Sequence, residues 1–136
     1  MKNLLMVGLI GFLSTNAFAT QAKHTGPQTE CAKEEHYPMV TKAELEKMVQ
    51  EKSAFVIDVN SDESFKEEHV PGAIHYKTSE AKFATLLPKD KAATIVAYCG
   101  GPACTAWKKA AEKACMLGYT NIKHFKEGIS GWKKKS

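Results

Sequence analysis

Apolar positions along the chain fall into patterns with different periods. A short run, Leu4 to Leu13, is continuously apolar and follows the positive start Met1-Lys2-Asn3. Small and polar residues come next and end in Ala17-Phe18-Ala19, the small-x-small pattern of a cleavage site, so residues 1–19 are expected to be a signal peptide cut after Ala19. The run is about half of what a membrane-spanning helix needs, so no stable membrane anchor is expected after cleavage. Residues 20–36 are polar, contain Gly26-Pro27, and read as a flexible lead-in to one domain over 37–136.

From Thr41 onward, helical and strand patterns alternate. Thr41 with Glu44 makes a capping box, and Leu45, Met48 and Val49 form an apolar stripe that predicts a helix through about Lys52. Residues 54–59 and 93–98 are short, apolar and rich in β-branched residues, as buried parallel strands are. Between them, Ser61 caps a short acidic helix, Pro71-Gly72 turns the chain into a strand near Ala73–Tyr76, and Ser79–Leu87 is helical up to Pro88. After the loop 99–104 come a helix over Thr105–Leu117 ended by Gly118, a strand over Asn121–Phe125, and a last helix over Ile129–Lys135. Strands alternating with helices predict an α/β fold: a small, doubly wound parallel sheet flanked by helices on both faces.

Composition narrows this picture. The chain has 136 residues, 43% hydrophobic and 25% charged, enough for one core and too apolar for a disordered segment. Its 4 Cys are too few for a disulfide-dense miniature scaffold. The net charge of +4 comes from 19 basic residues that are all lysine. Without arginine there is no bidentate fork for guanine or phosphate, so nucleic acid is not an expected partner. The lysine excess favours small anions by general attraction. An exported chain enters an oxidising compartment, here expected to be a bacterial periplasm, where free thiols are under pressure.

Cys99 lies where chemistry is expected. It directly follows the strand 93–98, at a carboxyl end, where binding sites of open parallel sheets form. It also begins the loop Cys99-Gly100-Gly101-Pro102-Ala103-Cys104, which leads into a helix near Thr105. Glycines let successive amides turn inward as a nest of donors, and the helix N-terminus adds free amides and partial positive charge. Both favour a thiolate, so Cys99 is a candidate nucleophile with its pKa below the free value of about 8.5. The amides of Gly100, Gly101, Ala103, Cys104 and Thr105 are the candidate anion cradle. A buried structural cysteine is the competing reading.

Five fragments in order resemble the rhodanese-like (sulfurtransferase) domain family. They are Val56-Ile57-Asp58-Val59, Glu67-Glu68-His69-Val70-Pro71-Gly72-Ala73-Ile74, Ala97-Tyr98-Cys99-Gly100-Gly101, Leu117-Gly118-Tyr119-Thr120-Asn121-Ile122, and Glu127-Gly128-Ile129-Ser130-Gly131-Trp132. The resemblance implies a small doubly wound α/β domain in which Cys99 carries a persulfide sulfur from a small anionic donor such as thiosulfate to a thiol or cyanide acceptor. It implies no cofactor and no metal. Three positions depart from the pattern: Cys104 and Asn60 stand where many members have arginine, and Glu127 replaces a glycine. Anion binding is then left to backbone amides, with Lys108 or Lys109 as assisting candidates, so thiosulfate turnover is expected to be weak and phosphatase chemistry weaker still.

Cys104 admits three roles: a resolving thiol for Cys99, a small filler where arginine would stand, or a metal ligand with Cys99, Cys31 and His36. A 99–104 disulfide needs Cα atoms within about 7 Å, and closing it is expected to deform the nest. Cys115 is read as core, and Cys31 as free to pair with any thiol, including one on another molecule. Asp58 and His69 are candidate orienting residues, with turn-fixing hydrogen bonds as their structural alternative. Trp107 either shields the thiol or packs on the sheet. Three functions follow: sulfur transfer through a Cys99 persulfide, a periplasmic thiol–disulfide protein cycling Cys99 and Cys104, or a noncatalytic module that carries sulfane sulfur or docks a periplasmic partner protein.

Overall fold

The computed structural model describes residues 30–135; the expected signal peptide and the start of the lead-in lie outside them. Four parallel strands, β1 (Phe55–Asp58), β2 (Ile74–His75), β3 (Ile95–Tyr98) and β4 (Ile122–His124), lie in the order β2-β1-β3-β4. The helices are α1 (Lys42–Glu51), α2 (Asp62–Glu67), α3 (Tyr76–Ser79), α4 (Phe83–Leu86), α5 (Trp107–Met116) and α6 (Gly128–Trp132). Among the described residues no helix is long and apolar enough to cross a membrane.

The period of two in the strands sends alternate residues to two cores. Ile57, Ile95, Ala97 and Ile122 pack with Trp107, Ala110, Ala111 and Ala114 of α5 and with Tyr76 and Phe83. Val56, Val96 and Tyr98 pack on the other face with Leu45 of α1, Val70, Phe125 and Ile129. Both faces are thus covered by helices, which is why the central strands carry almost no polar side chains.

Local chemistry sets several boundaries. Thr41 and Glu44 form both halves of the capping box at α1, and Ser61 Oγ accepts from Ser64 N at 3.2 Å to start α2. The helix expected over 79–87 is instead α3, a 3₁₀ turn at Glu80–Lys82, and α4, which buries Tyr76, Phe83 and Leu87 against one core. Helix α5 begins at Trp107 rather than Thr105, because residues 101–104 form a turn closed by Cys104 N donating to Gly101 O at 3.0 Å.

The described end of the lead-in, residues 30–36, is held on the domain rather than free of it. Cys31 is 3% exposed and disulfide-bonded to Cys115 near the end of α5, with Cα atoms 5.7 Å apart. The Tyr37 hydroxyl donates to Cys31 O, and Lys108 Nζ lies 2.8 Å from Glu34 Oε2. The reading of Cys115 as a plain core thiol is therefore corrected, and Cys31 has a defined partner within the chain. Residues 38–40 then run beside the edge strand: His124 N donates to Pro38 O and Val40 N to His124 O, each at 2.9 Å. That contact covers the open edge of β4.

Candidate functional site

The strand order reverses between β1 and β3, since β2 lies outside β1 and β4 lies outside β3. In a doubly wound sheet the loops leaving such a pair diverge to opposite faces and open a crevice at the carboxyl ends. Asp58 ends β1 directly opposite Tyr98, which ends β3, and Cys99 follows Tyr98. The topology therefore puts Cys99 at the switch point.

Two elements shape the loop that begins at Cys99. From below, Ile129 N and Ser130 N at the start of α6 donate to Cys99 O and Gly100 O at 2.9 and 3.0 Å. Gly128 makes this approach feasible, with φ +59° and no side chain: a Cβ there would meet Cys99 O at 2.5 Å and Gly101 N at 2.7 Å. On the other side is the Asn60 side chain, whose Oδ1 would lie 3.7 Å from a Cβ on Gly100. The Asn60 Nδ2 is buried with no hydrogen-bond partner among the described residues.

Cys99 is 2% exposed and its sulfur is bonded to that of Cys104, with Cα atoms 6.3 Å apart. The Gly101–Cys104 turn brings the two ends of the loop within the bridging range. This turn also corrects one member of the expected anion cradle, because the Cys104 amide is spent on Gly101 O. The amides of Gly100, Gly101, Ala103 and Thr105 make no hydrogen bond among the described residues. The N-terminus of α5 follows with no side-chain cap. A metal set of Cys99, Cys104, Cys31 and His36 does not form, since Cys31 is bonded to Cys115.

Asp58 is fully buried, with Oδ1 accepting from Asn60 N at 2.8 Å and Oδ2 from the Tyr98 hydroxyl at 2.5 Å. The same hydroxyl accepts from Val70 N at 2.9 Å. Burial first, and then the bond to Asp58, push the Tyr98 phenol well above its ordinary range, so it stays a donor. Asp58 thus ties the end of β1 to the residue before Cys99 and holds the backbone of Asn60. His69 is placed elsewhere: Nδ1 is 2.7 Å from Phe65 O and its ring stacks on Phe65 at 3.9 Å. It serves the end of α2.

A hollow of about 240 Å³ is lined by Val59, Asn60, Tyr76, Lys77, Ala106 and Lys109 among others, with no residue of the loop 99–104 in its wall. Lys109 reaches it, and Lys77 is also paired with Asp62 at 2.9 Å. Lys108 faces Glu34 instead, so of the two assisting lysines only Lys109 is on the hollow. Trp107 is 1% exposed and stacks on His124 with ring centres 3.6 Å apart, so it packs on the sheet.

A family model for the Rhodanese-like domain matches residues 41–135. The chain belongs to the rhodanese-like domain family. Its curated relatives include the uncharacterized protein YibN of Escherichia coli K12, 28% identical over 97 residues, which are 69% of this chain and 66% of the relative. The chain thus spans just under two thirds of that relative's length. Among solved structures, the BH2092 protein of Bacillus halodurans is 29% identical with a TM-score of 0.56, covering 73% of each chain. The human single-domain sulfurtransferase TSTD1 shares the fold at a TM-score of 0.59 and 23% identity, covering 73% of this chain and 98% of that one.

Within this rhodanese-like domain, three contributors were not singled out from the sequence for what they do. Tyr98 falls within the strand pattern 93–98, and a polar aromatic next to the loop cysteine is the one sequence signal of its further role. Gly128 was one letter of a motif, and its positive φ and backbone approach emerge only in three dimensions. The Cys31–Cys115 pair had only the even cysteine count to suggest it.

Proposed function

We propose that this chain is a sulfurtransferase that moves a sulfane sulfur through a persulfide on Cys99. The observation that carries the reading is the position of Cys99: at the switch point, opening a loop whose Gly100, Gly101, Ala103 and Thr105 amides are unengaged and which runs into the N-terminus of α5. The name of the human structural neighbour, a single-domain sulfurtransferase, is in keeping with it.

The reaction starts from the reduced pair. The Cys99 thiolate attacks the sulfane sulfur of thiosulfate or of an organic persulfide. The donor S–S bond breaks, sulfite or a thiolate leaves, and Cys99 keeps the sulfur as an S–S⁻ group. The loop amides and the α5 N-terminus hold that negative charge, replacing water with fixed dipoles. A thiol or cyanide then takes the terminal sulfur and returns the Cys99 thiolate. With no guanidinium at 60 or 104, an organic persulfide is the better donor, because thiosulfate brings two charges to a cradle made mainly of backbone.

The place of action is proposed to be outside the cytoplasm, in a periplasm. All four cysteines are paired, a state that an oxidising compartment maintains. The Cys99–Cys104 bond also favours a second reading, a thiol–disulfide protein that cycles this pair.

Intact mass of the protein with Cys99 and Cys104 reduced, exposed to glutathione persulfide beside a Cys99→Ser variant, tests the first reading. A gain of about 32 Da on a Cys104→Ser chain, which keeps Cys99, removable by cyanide and absent from the Cys99→Ser variant, is the expected result. If neither Cys104→Ser nor the parent chain ever gains this mass, persulfide chemistry is wrong and thiol–disulfide cycling takes its place.

A further inference from the structure

We propose that Cys104 discharges the Cys99 persulfide as sulfide by closing the Cys99–Cys104 bond, and that an external dithiol reopens the bond by attacking the Cys104 sulfur. The inference rests on the persulfide reading and adds its product, its co-substrate class and the order of events.

The geometry distinguishes the two sulfurs of a Cys99 persulfide. The loop brings Cys104 Sγ onto Cys99 Sγ itself, with Cα atoms 6.3 Å apart. An attack by the Cys104 thiolate on Cys99 Sγ therefore uses an approach the loop already accommodates. Attack on the terminal sulfur would have to reach one S–S bond farther, about 2 Å. In the favoured step the bond between Cys99 Sγ and the terminal sulfur breaks, and the Cys99–Cys104 bond forms. The terminal sulfur leaves with the electron pair as HS⁻. Two thiols are oxidised to one disulfide and one sulfane sulfur is reduced to sulfide, so electrons balance without a metal or cofactor. The attack is intramolecular between residues five apart, which gives it a high effective concentration over any thiol in solution.

The surroundings assign different roles to the two cysteines in resetting the site. Cys99 is 2% exposed, and the backbone around it is pinned by Ile129 N and Ser130 N. Cys104 is half-buried and flanked by exposed Ala103 and Thr105. An incoming thiolate therefore meets the Cys104 sulfur, forms a mixed disulfide there, and expels Cys99 as the thiolate needed for the next round. A monothiol bound at Cys104 sits beside that thiolate, which displaces it and recloses the ring. The second thiol of a dithiol competes with this reclosure, completes the reduction, and carries the electrons away as its own disulfide. The co-substrate is accordingly a dithiol, of small-molecule or protein origin.

The test uses the full chain with the Cys31–Cys115 bond intact and the 99–104 pair reduced, given one equivalent of glutathione persulfide with no other reductant. The expected result for the parent chain is about one sulfide released per chain and a mass about 2 Da lower, mapped by digestion to a 99–104 disulfide. Cys104→Ser and Cys104→Ala are expected to hold a gain of about 32 Da and to release less than about a tenth as much sulfide. The intact Cys31–Cys115 peptide in each digest confirms that the variants fold. A parent chain that keeps the added sulfur, or that releases no more sulfide than the variants, overturns the Cys104 step and leaves the persulfide reading standing. No added mass on any of the three proteins overturns both. In multiple turnover, dithiothreitol is expected to support at least about tenfold faster sulfide release than glutathione at equal thiol concentration, and equal rates would refute the dithiol requirement.

Discussion

Gly128 stands so close to Cys99 that a Cβ at 128 would lie 2.5 Å from the Cys99 carbonyl oxygen. The neighbour is backbone, which cannot rotate away as a side chain could, and the glycine also holds φ at +59°. Gly128→Ala therefore combines left-handed strain with a clash that pushes the loop 99–101 off the start of α6. The expected cost is about 2 kcal/mol or more of unfolding free energy, with at least about a tenfold loss of sulfur transfer from a chain that still folds. Urea melts and persulfide formation at Cys99 read the two effects. Parent-like values for both would show that the approach of α6 does not shape the loop.

Tyr98 and Asp58 form the other support. The Tyr98 hydroxyl accepts from Val70 N and donates to Asp58, so Tyr98→Phe leaves a buried amide unpaired and removes one donor from a buried carboxylate. A loss of about 2–4 kcal/mol is expected, measured as a lower urea midpoint at unchanged slope. Asp58→Asn keeps one acceptor oxygen for Asn60 N and presents an NH2 group that can donate to the Tyr98 oxygen, and is expected to lose less. If Tyr98→Phe melts within about 0.5 kcal/mol of the parent, the hydroxyl is not holding the strand ends together.

What could be read from the sequence follows the range of the interactions concerned. The capping box at Thr41 and Glu44, the two apolar runs that became β1 and β3, and the position of Cys99 after β3 are local, and all are found where expected. The Rhodanese-like match over 41–135 agrees with the order of the quoted fragments. The helix expected over 79–87 breaks at Glu80–Lys82 because burial of Tyr76 and Phe83 in one core, not helical propensity, decides that segment. The described end of the lead-in, residues 30–36, is a related case: its polar residues read as loose, yet Cys31 reaches a partner 84 positions away, and no local rule reports on that. The turn closed by Cys104 N is local, with Pro102 at its second position, and its hydrogen bond removes one donor from the expected cradle.

The Cys31–Cys115 bond closes a separation of 84 residues, and a chain cross-linked over that span loses much of its freedom when unfolded. It also pins residues 30–37 along α5, where Lys108 meets Glu34 and Tyr37 sets its ring edge against Trp107. The Cys31→Ser, Cys115→Ser double variant is expected to lose about 2–5 kcal/mol and, with Cys104→Ser added, still to hold a persulfide at Cys99, because neither sulfur belongs to the loop. Denaturant titration and intact mass check the pair of statements. A fall below about 1 kcal/mol would mean the bond constrains little. Loss of the Cys99 adduct in a folded variant would mean that the segment it tethers supports the site.

His124 supplies a pH dependence. Its ring is 5% exposed and lies flat on Trp107, and burial lowers its pKa from the usual 6.5 to about 4; Glu34 opposes the shift while Lys126 and Lys108 add to it. Because the folded value is the lower one, the unfolded chain binds the extra proton between pH 6.5 and about 4. Stability is therefore full above about pH 6.5 and falls as the pH drops toward 4, by up to about 3 kcal/mol from this group. Unfolding free energies from urea melts at several pH values should show that slope in the parent and a shallower one in His124→Asn, which cannot titrate. Equal slopes in the two proteins would assign the acid sensitivity to other groups. A parent whose stability rises below pH 6.5 would show that His124 gains its proton more readily in the fold than out of it, contrary to its burial against Trp107.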